Sequence, residues 1–346
     1  MDSPRILSYG AALREALALA MEQDPSLFVM GIGVDDHKAV FGSTKGLVER
    51  FGQHRVFDTP ISEAAMTGVA VGAALGGMKP VHVHIRCDFL YLAMDQLMNI
   101  AAKWRSMFGG QMSVPIVIRC VIGRSWGQGA QHSQSLPSFF MNVPGIKVVM
   151  PTTAHDAQGL LLAAIADPNP VVMIEHRLLY DIPGRVPQRL APSPLGPAVL
   201  RREGKDLTIV ANSYMVVEAL KAAEFLETKG IGVEIVDPVS LVPLDRQTIV
   251  ASVRKTGKLL VLDTGWIACG VSAEIAAIAA EMAQDRLTAP VRRLGMAQTP
   301  CPVSKPLENA FYPDARKIAS AVLAMMEKEH STAELTGVAT TFKGPF

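Results

Sequence analysis

Three stretches of the sequence carry side chains able to do chemistry. The first is Thr59-Pro60-Ile61-Ser62-Glu63-Ala64-Ala65, which runs straight into Met66-Thr67-Gly68-Val69-Ala70-Val71-Gly72-Ala73-Ala74-Leu75-Gly76-Gly77. Pro60 follows an extended run and Ser62 is suited to cap a helix, so Glu63 falls in the first turn of an apolar segment. Shielding from water favours the neutral form of a carboxyl group, and such an acid exchanges protons with a bound ligand more readily than a surface acid. A glutamate here also suits the positive end of a helix dipole with no ligand involved. The second stretch is Gly123-Arg124-Ser125-Trp126-Gly127-Gln128-Gly129-Ala130-Gln131-His132-Ser133-Gln134-Ser135, into which the apolar run Pro115 to Ile122 empties. A glycine-rich loop at the carboxyl end of a strand is where open α/β sheets hold their ligands, and His132 is its candidate for proton transfer. The third is Val81-His82-Val83-His84-Ile85, whose period of two predicts a strand with both histidines on one face. That is part of a metal site, but no third ligand is readable nearby.

Two motif matches fail on context. Gly123-Arg124-Ser125-Trp126-Gly127 fits the Gly-x-Ser-x-Gly elbow of serine hydrolases, with Ser125 as nucleophile, but that elbow needs a helix directly after the serine and here more glycines follow. Gly31-Ile32-Gly33-Val34-Asp35 lacks the third glycine of a dinucleotide loop.

The elements that must position these groups follow from pattern and composition. At 346 residues the chain exceeds the usual size of one core, which predicts two domains. Lys plus Arg (33) balances Asp plus Glu (32), which gives no electrostatic reason for nucleic acid or an anionic membrane as partner. Cys87, Cys120, Cys269 and Cys301 are scattered, which predicts free thiols in a reducing compartment. Met1 to Arg5 has the pattern of neither a secretory nor a transit peptide, so the expectation is a cytoplasmic protein. Gly68, Gly72 and Gly76 give the Glu63 segment one bare face, read as a buried, close-packed helix; its apolar run stops at Lys79-Pro80, short of the roughly 18 residues that a membrane span requires.

Strand and helix patterns alternate through residue 185, predicting a parallel sheet covered on both faces. Pro183, Pro187, Pro192, Pro194 and Pro197 mark a linker over 186–203. The alternation restarts with Leu207 to Ala211, giving a second, smaller doubly wound domain over 204–329, and residues 330–346 are expected to be a flexible tail. The fold class is therefore α/β, with two doubly wound domains.

In this order the motifs resemble the β subunits of thiamine-diphosphate-dependent 2-oxo acid dehydrogenase E1 components (pyruvate, branched-chain 2-oxo acid and acetoin dehydrogenases), in the transketolase-like superfamily. The likeness runs from about Tyr9 to Met325. It is carried by Phe57-Asp58-Thr59-Pro60-Ile61-Ser62-Glu63-Ala64-Ala65, Asp88-Phe89 with Asp95-Gln96, Gln131-His132-Ser133-Gln134-Ser135, Pro144-Gly145-Ile146-Lys147-Val148-Val149-Met150-Pro151 and Asp167-Pro168-Asn169-Pro170-Val171-Val172. The resemblance implies a pyrimidine-binding domain followed by a transketolase C-terminal-like domain, and an enzyme that decarboxylates a 2-oxo acid and passes the acyl group to lipoamide. It puts Glu63 against the aminopyrimidine ring nitrogen of thiamine diphosphate, Phe89 against the ring itself, and Ile61 and Ile85 beside the cofactor. His132 takes the place of the family's active-site histidine, which assists proton and acyl transfer. A structural potassium ion would fall at Ile116, Ala164, Asp167 and Asn169.

The chain also departs from the family. Gly31-Ile32-Gly33-Val34-Asp35 stands where Gly-Glu-Asp-Val-Gly is usual, and Ile85-Arg86-Cys87 replaces Gln-Phe-Ala. Arg86 is suited to bind a carboxylate or phosphate, or to pair with Asp35 or Asp88. These departures favour an alternative within the same lineage, a carboligase or split transketolase with an aldehyde or sugar acceptor. No Gly-Asp-Gly with a following Asn is present to hold magnesium and diphosphate, so the resemblance implies an α subunit that supplies them in an α2β2 assembly, with a lipoyl-bearing E2 acyltransferase as further partner. Nucleic acid and membrane are not expected partners, and the β chain alone should be inactive.

Overall fold

In a computed structural model, described at residues 5–124, 127–329 and 331–335, the apolar β-branched runs form strands that assemble into two main sheets. The strands are β1 (Arg5–Ser8), β2 (Leu27–Gly31), β3 (Val56–Asp58), β4 (Lys79–His84), β5 (Val117–Ile122), β6 (Lys147–Val149), β7 (Val171–His176), β8 (Pro183–Val186), β9 (Val199–Arg202), β10 (Leu207–Ala211), β11 (Val233–Asp237), β12 (Ser240–Val242), β13 (Leu259–Trp266) and β14 (Arg292–Met296). The first sheet has the order β12-β6-β7-β5-β4-β2-β3 and is parallel except for β12; the second has the order β14-β13-β10-β11-β9 and is parallel except for β9. Every residue of β2, β5, β7, β10 and β11 is buried, as a sheet covered on both faces requires.

Helices cover those faces where the sequence places apolar residues at helical spacing. The helix Tyr9–Gln23 buries Leu13, Ala16, Leu17 and Ala20 and packs against the helix Ala154–Ala166. Ser8 starts the former by accepting from the Ala11 N–H (3.3 Å), and Thr153 with Asp156 forms a capping box at the start of the latter.

The helix Glu63–Leu75 departs from expectation in two ways. Ser62 stands at its N-cap position, yet its side chain makes no capping bond. Only one face, with Glu63, Thr67, Ala70, Val71 and Ala74, is buried; Gly72 and Gly76 are exposed, and a Cβ built on Gly72 would meet nothing within 4 Å. Small residues suit a close approach but do not supply the partner, so the glycine face of this chain is open rather than packed.

The predicted helix Leu92 to Phe108 is a helical run of mixed pitch: a 3-10 turn over Tyr91–Ala93, a π segment over Asp95–Ala101 and an α segment over Ala102–Met107, ended by Gly109 and Gly110 at φ +60° and +80°.

The segment read as a linker holds more structure than its prolines suggest. β8 pairs antiparallel with β1, and β9 is an edge strand of the second sheet, paired antiparallel with β11. β12, which follows the second domain's β11, crosses back to extend the first sheet along β6. Of the expected tail, Leu335 is buried against the core, its carbonyl accepts from Arg316 Nε (2.9 Å), and Thr332 Oγ1 contacts Ser320 Oγ (3.0 Å). Residues 331–335 are therefore docked rather than free.

Candidate active site

Because β2 to β5 and β7 run parallel, their carboxyl ends lie along one edge of the first sheet. The chain leaves β2 toward β3 and then crosses to β4 on the other side of β2, which makes this edge a topological switch point, where open α/β sheets form their ligand crevice. Glu63 opens the helix that follows β3. Phe89 lies in the short helix Cys87–Leu90 that follows β4, and His132 sits in the loop that follows β5. Arg177 comes directly after β7.

Glu63 is buried, whereas neighbouring Ile61 is 82% exposed. Phe89 and His132 meet edge to face, with ring centroids 5.2 Å apart. The loop that carries His132 is tied to the sheet edge from below. Asp88 Oδ1 accepts from the Gln134 N–H at 2.9 Å, and burial pushes the Asp88 carboxyl up from its ordinary range. Arg177 donates to the His132 carbonyl at 3.4 Å and to Gln128 Oε1. Burial, and the charge of Arg86, lower the Arg177 guanidinium to about 9. Arg86 donates to the Ile85 carbonyl at 2.9 Å and lies 5.9 Å from the centre of the Phe41 ring; burial lowers it to about 10. An acid, an aromatic face and an imidazole thus share one edge with two buried cations. That set can bind a flat heterocycle, exchange a proton with it, and move a second proton nearby.

The remaining sequence-predicted residues lie elsewhere or do something else. Half-buried Ile85 ends the turn that leads into Arg86. His82 and His84 share a face as expected, with ring centroids 4.2 Å apart, but both are buried; burial lowers His82 to about 4 and His84 well below its ordinary value, leaving neutral core imidazoles. Among the described residues no group of three or more His, Cys, Asp or Glu could hold a metal ion. At the expected potassium turn the Ile116 carbonyl accepts from the Val171 N–H (3.0 Å) and the Ala164 carbonyl from the Asp167 N–H (3.3 Å). Asp167 Oδ1 accepts from the Asn169 N–H (2.9 Å) and side-chain amide (3.1 Å), while its other oxygen holds the Lys147 ammonium. The protein's own cation already stands at that carboxylate. Ser125 lies outside the described residues, and Gly127 to Pro137 include no helix directly after it.

Two features of the site were not read from the sequence. Where the family's two acids are missing, Asp58 collects the N–H groups of Gly33, Val34 and Asp35 at 3.1, 2.7 and 3.1 Å, and Ala39, Val40 and Phe41 follow at φ +49°, +47° and +57°. That left-handed turn sets the Phe41 ring against Arg86. Arg177 was also missed, although its place directly after the strand end Glu175-His176 at the same sheet edge was an available signal.

A pair of doubly wound domains with these groups on the first sheet's carboxyl edge defines the transketolase-like class. Residues 6–183 match the transketolase pyrimidine binding domain and residues 196–318 the transketolase C-terminal domain. A solved split-gene transketolase, described as an inactive beta4 tetramer, shares the fold with a TM-score of 0.76 over 94% of this chain and 99% of that one, at 22% identity. The chain is 41% identical over 334 residues to the acetoin:2,6-dichlorophenolindophenol oxidoreductase subunit beta of Bacillus subtilis (strain 168), covering 93% of this chain and 98% of that protein. It is 45% identical over 314 residues to the mitochondrial pyruvate dehydrogenase E1 component subunit beta-1 of Arabidopsis thaliana, covering 90% and 86%. This chain belongs to the family of E1 β subunits of thiamine-diphosphate-dependent 2-oxo acid dehydrogenases, which includes the pyruvate and acetoin enzymes. Among the described residues no helix is long and apolar enough to cross a membrane.

Proposed function

We propose that this chain supplies the pyrimidine half of a thiamine diphosphate site in an α2β2 enzyme that decarboxylates a 2-oxo acid and passes the acyl group to lipoamide on an E2 partner. The observation that carries this reading is the contact between Phe89 and His132 on the same sheet edge from which buried Glu63 emerges. The residues suit that half of the cofactor: a shielded carboxyl for a ring nitrogen, a half-buried aromatic side chain for a flat ring, and Ile61 and Ile85 for its apolar surroundings. For the other half, the sequence has no Gly-Asp-Gly with a following Asn, and the diphosphate and Mg2+ are assigned to the α subunit.

When bound, the cofactor supplies a carbon nucleophile that holds the electron pair left when carbon dioxide departs. Glu63 holds a proton at the ring nitrogen and exchanges it there. Phe89 fixes the ring's tilt. His132 moves a proton at the acceptor as the acyl group is handed over. A potassium ion at Ile116, Ala164, Asp167 and Asn169 would have to displace Lys147 from Asp167. The four free cysteines fit a reducing compartment, and a cytoplasmic location is part of the same proposal.

A second reading, with an aldehyde or sugar acceptor, is favoured by one observation. Arg86 adds a buried cation to this edge, which suits an anionic group on donor or acceptor.

The test is coexpression with the α subunit and substitution Glu63→Gln. Assembly is retained, and exchange of the cofactor C2 proton for deuterium, followed by NMR, slows by about 10²- to 10⁴-fold. Exchange at the wild-type rate would remove Glu63 from this role. Parallel assays with pyruvate, branched-chain 2-oxo acids and aldehydes separate the two acceptors.

A further inference from the structure

The second domain carries none of the groups assigned to chemistry, yet it touches the loop that carries His132 at both ends. On the amino-terminal side, Gly127 and Gly129 adopt φ +74° and +73° and press against Val303. A Cβ on Gly127 would stand 2.7 Å from the Val303 carbonyl oxygen, and one on Gly129 would stand 2.9 Å from Val303 Cγ2. On the carboxyl-terminal side, Gly265 lies so close to the Ser135 carbonyl that a Cβ there would be 2.3 Å from its oxygen. The neighbouring Thr264 Oγ1 is 3.1 Å from Ser135 Oγ, both groups being buried.

These contacts are themselves anchored. Trp266 Nε1 donates to the Ala297 and Thr299 carbonyls at 2.9 and 3.2 Å, which fixes the strand-exit segment leading to Val303. Met296, Cys301, Phe311 and Tyr312 cluster beneath that segment. From the first domain, Arg177 holds the His132 carbonyl and the Gln128 side chain, and Asp88 holds the N–H of Gln134. The loop is therefore gripped between two bodies, and the bare Cα atoms of Gly127, Gly129 and Gly265 are what let them approach.

We infer that Thr264, Gly265 and Val303 of the second domain are positioning residues for His132, holding its loop so that the imidazole stays against Phe89. This rests on the role proposed above for His132. Glu63 opens the helix after β3 and gains nothing from this grip, so the two halves of the reaction separate: proton exchange on the cofactor is independent of the second domain's contacts, and acyl transfer depends on them.

The test uses the reconstituted α2β2 complex with three variants of this chain, Gly265→Ala, Thr264→Val and His132→Ala. Each is measured for C2 proton exchange and, with pyruvate and branched-chain 2-oxo acids as donors, for transfer to lipoamide. For Gly265→Ala the expected result is a transfer kcat about tenfold or more below wild type, with 2-oxo acid KM and C2 exchange within about twofold of wild type. Thr264→Val removes the hydroxyl contact with little change of shape, and is expected to give a smaller loss of the same kind. His132→Ala lowers transfer by about 10²-fold or more. If His132→Ala transfers at the wild-type rate, the role of His132 fails and this inference falls with it. If His132→Ala is impaired but Gly265→Ala and Thr264→Val transfer normally, the inference alone is overturned. It is overturned equally if exchange and transfer fall together in both second-domain variants.

Discussion

The two sheets share a parallel core of the same strand order, β5-β4-β2-β3 in the first and β14-β13-β10-β11 in the second, and put it to different uses. In the first, the carboxyl edge presents an acid, an aromatic ring and an imidazole to a ligand; in the second, the corresponding edge, at buried Thr264 and Gly265 near the end of β13, is turned against the first domain's loop. Their interiors differ in the same sense. Under the first sheet Arg119 donates to both oxygens of Glu175 (2.6 and 2.9 Å) and to Ser43 Oγ (3.0 Å), and Tyr180 donates to the same carboxylate, all fully or almost fully buried. Glu175 keeps the Arg119 guanidinium raised even though burial acts to lower it. Under the second sheet, around Thr208, the buried contacts join neutral hydroxyls: Thr208 Oγ1 contacts Ser252 Oγ (2.8 Å) and Thr256 Oγ1 (2.7 Å). The lesson is that a fold stabilised by apolar burial tolerates a fully enclosed ion pair in the half whose edge must be rigid, while in the half that braces the buried carboxylates of Asp237, Glu234 and Glu308 pair with cations that keep access to solvent.

That contrast can be broken by measurement. Glu175→Ala leaves a buried guanidinium without its carboxylate and should cost about 3 to 5 kcal/mol in chemical denaturation of the complex, the largest stability effect expected here. A loss under about 1 kcal/mol would mean that the network is relaxed by water and carries no rigidity.

The seam between the halves should respond to pH. Arg201 bonds Asp237 at 2.8 and 3.0 Å and also reaches Asp156 of the first domain, and burial raises Asp237 to about 6. Its folded value lies above the unfolded one, so the native state binds the extra proton. Stability contributed by this group rises as pH falls through 6 and is absent above it. Relative to Asp237→Asn, wild type should gain about 1 kcal/mol between pH 7 and pH 5. A difference that is flat or of opposite sign would show that Asp237 is ionised throughout.

The smallest effect belongs to the second sheet. Thr208→Val should cost roughly 0.5 to 1 kcal/mol, because two neutral hydroxyl contacts are lost while Ser252 keeps its bond to Glu234 (2.6 Å). A cost as large as that of Glu175→Ala would erase the contrast between the interiors.

What could be read from the sequence divides along physical lines. Short runs rich in β-branched residues such as Val117 to Ile122 and Leu207 to Ala211 gave the strands, and their alternation with helical periods gave the parallel sheets. Glu63 and His132 stood out from their own stretches, an acid in the first turn of an apolar helix and an imidazole in a glycine-rich strand-exit loop, whereas Phe89 was singled out through the family resemblance alone. β14 was missed because Arg292 and Arg293 break its apolar pattern, and β12 because three residues before Pro243 are too short to show a period. Which body covers the glycine face of the Glu63 helix was not legible, because glycine has the same look whether its own chain or another subunit packs on it. The grip on the His132 loop joins residues far apart in the chain, such as Gly129 and Val303, and no spacing rule connects them.

β12 has one more consequence. Ser240 and Val242 pair with Val149 and Val148, and the Met150 N–H donates to the Val239 carbonyl at 2.8 Å. A fragment cut within the proline-rich connection would lose this strand and bare the row of amides along β6, a template for intermolecular pairing. The halves are stitched together by a borrowed strand, so neither can be exchanged for a homologous module in evolution or in the laboratory unless the patch at that seam travels with it.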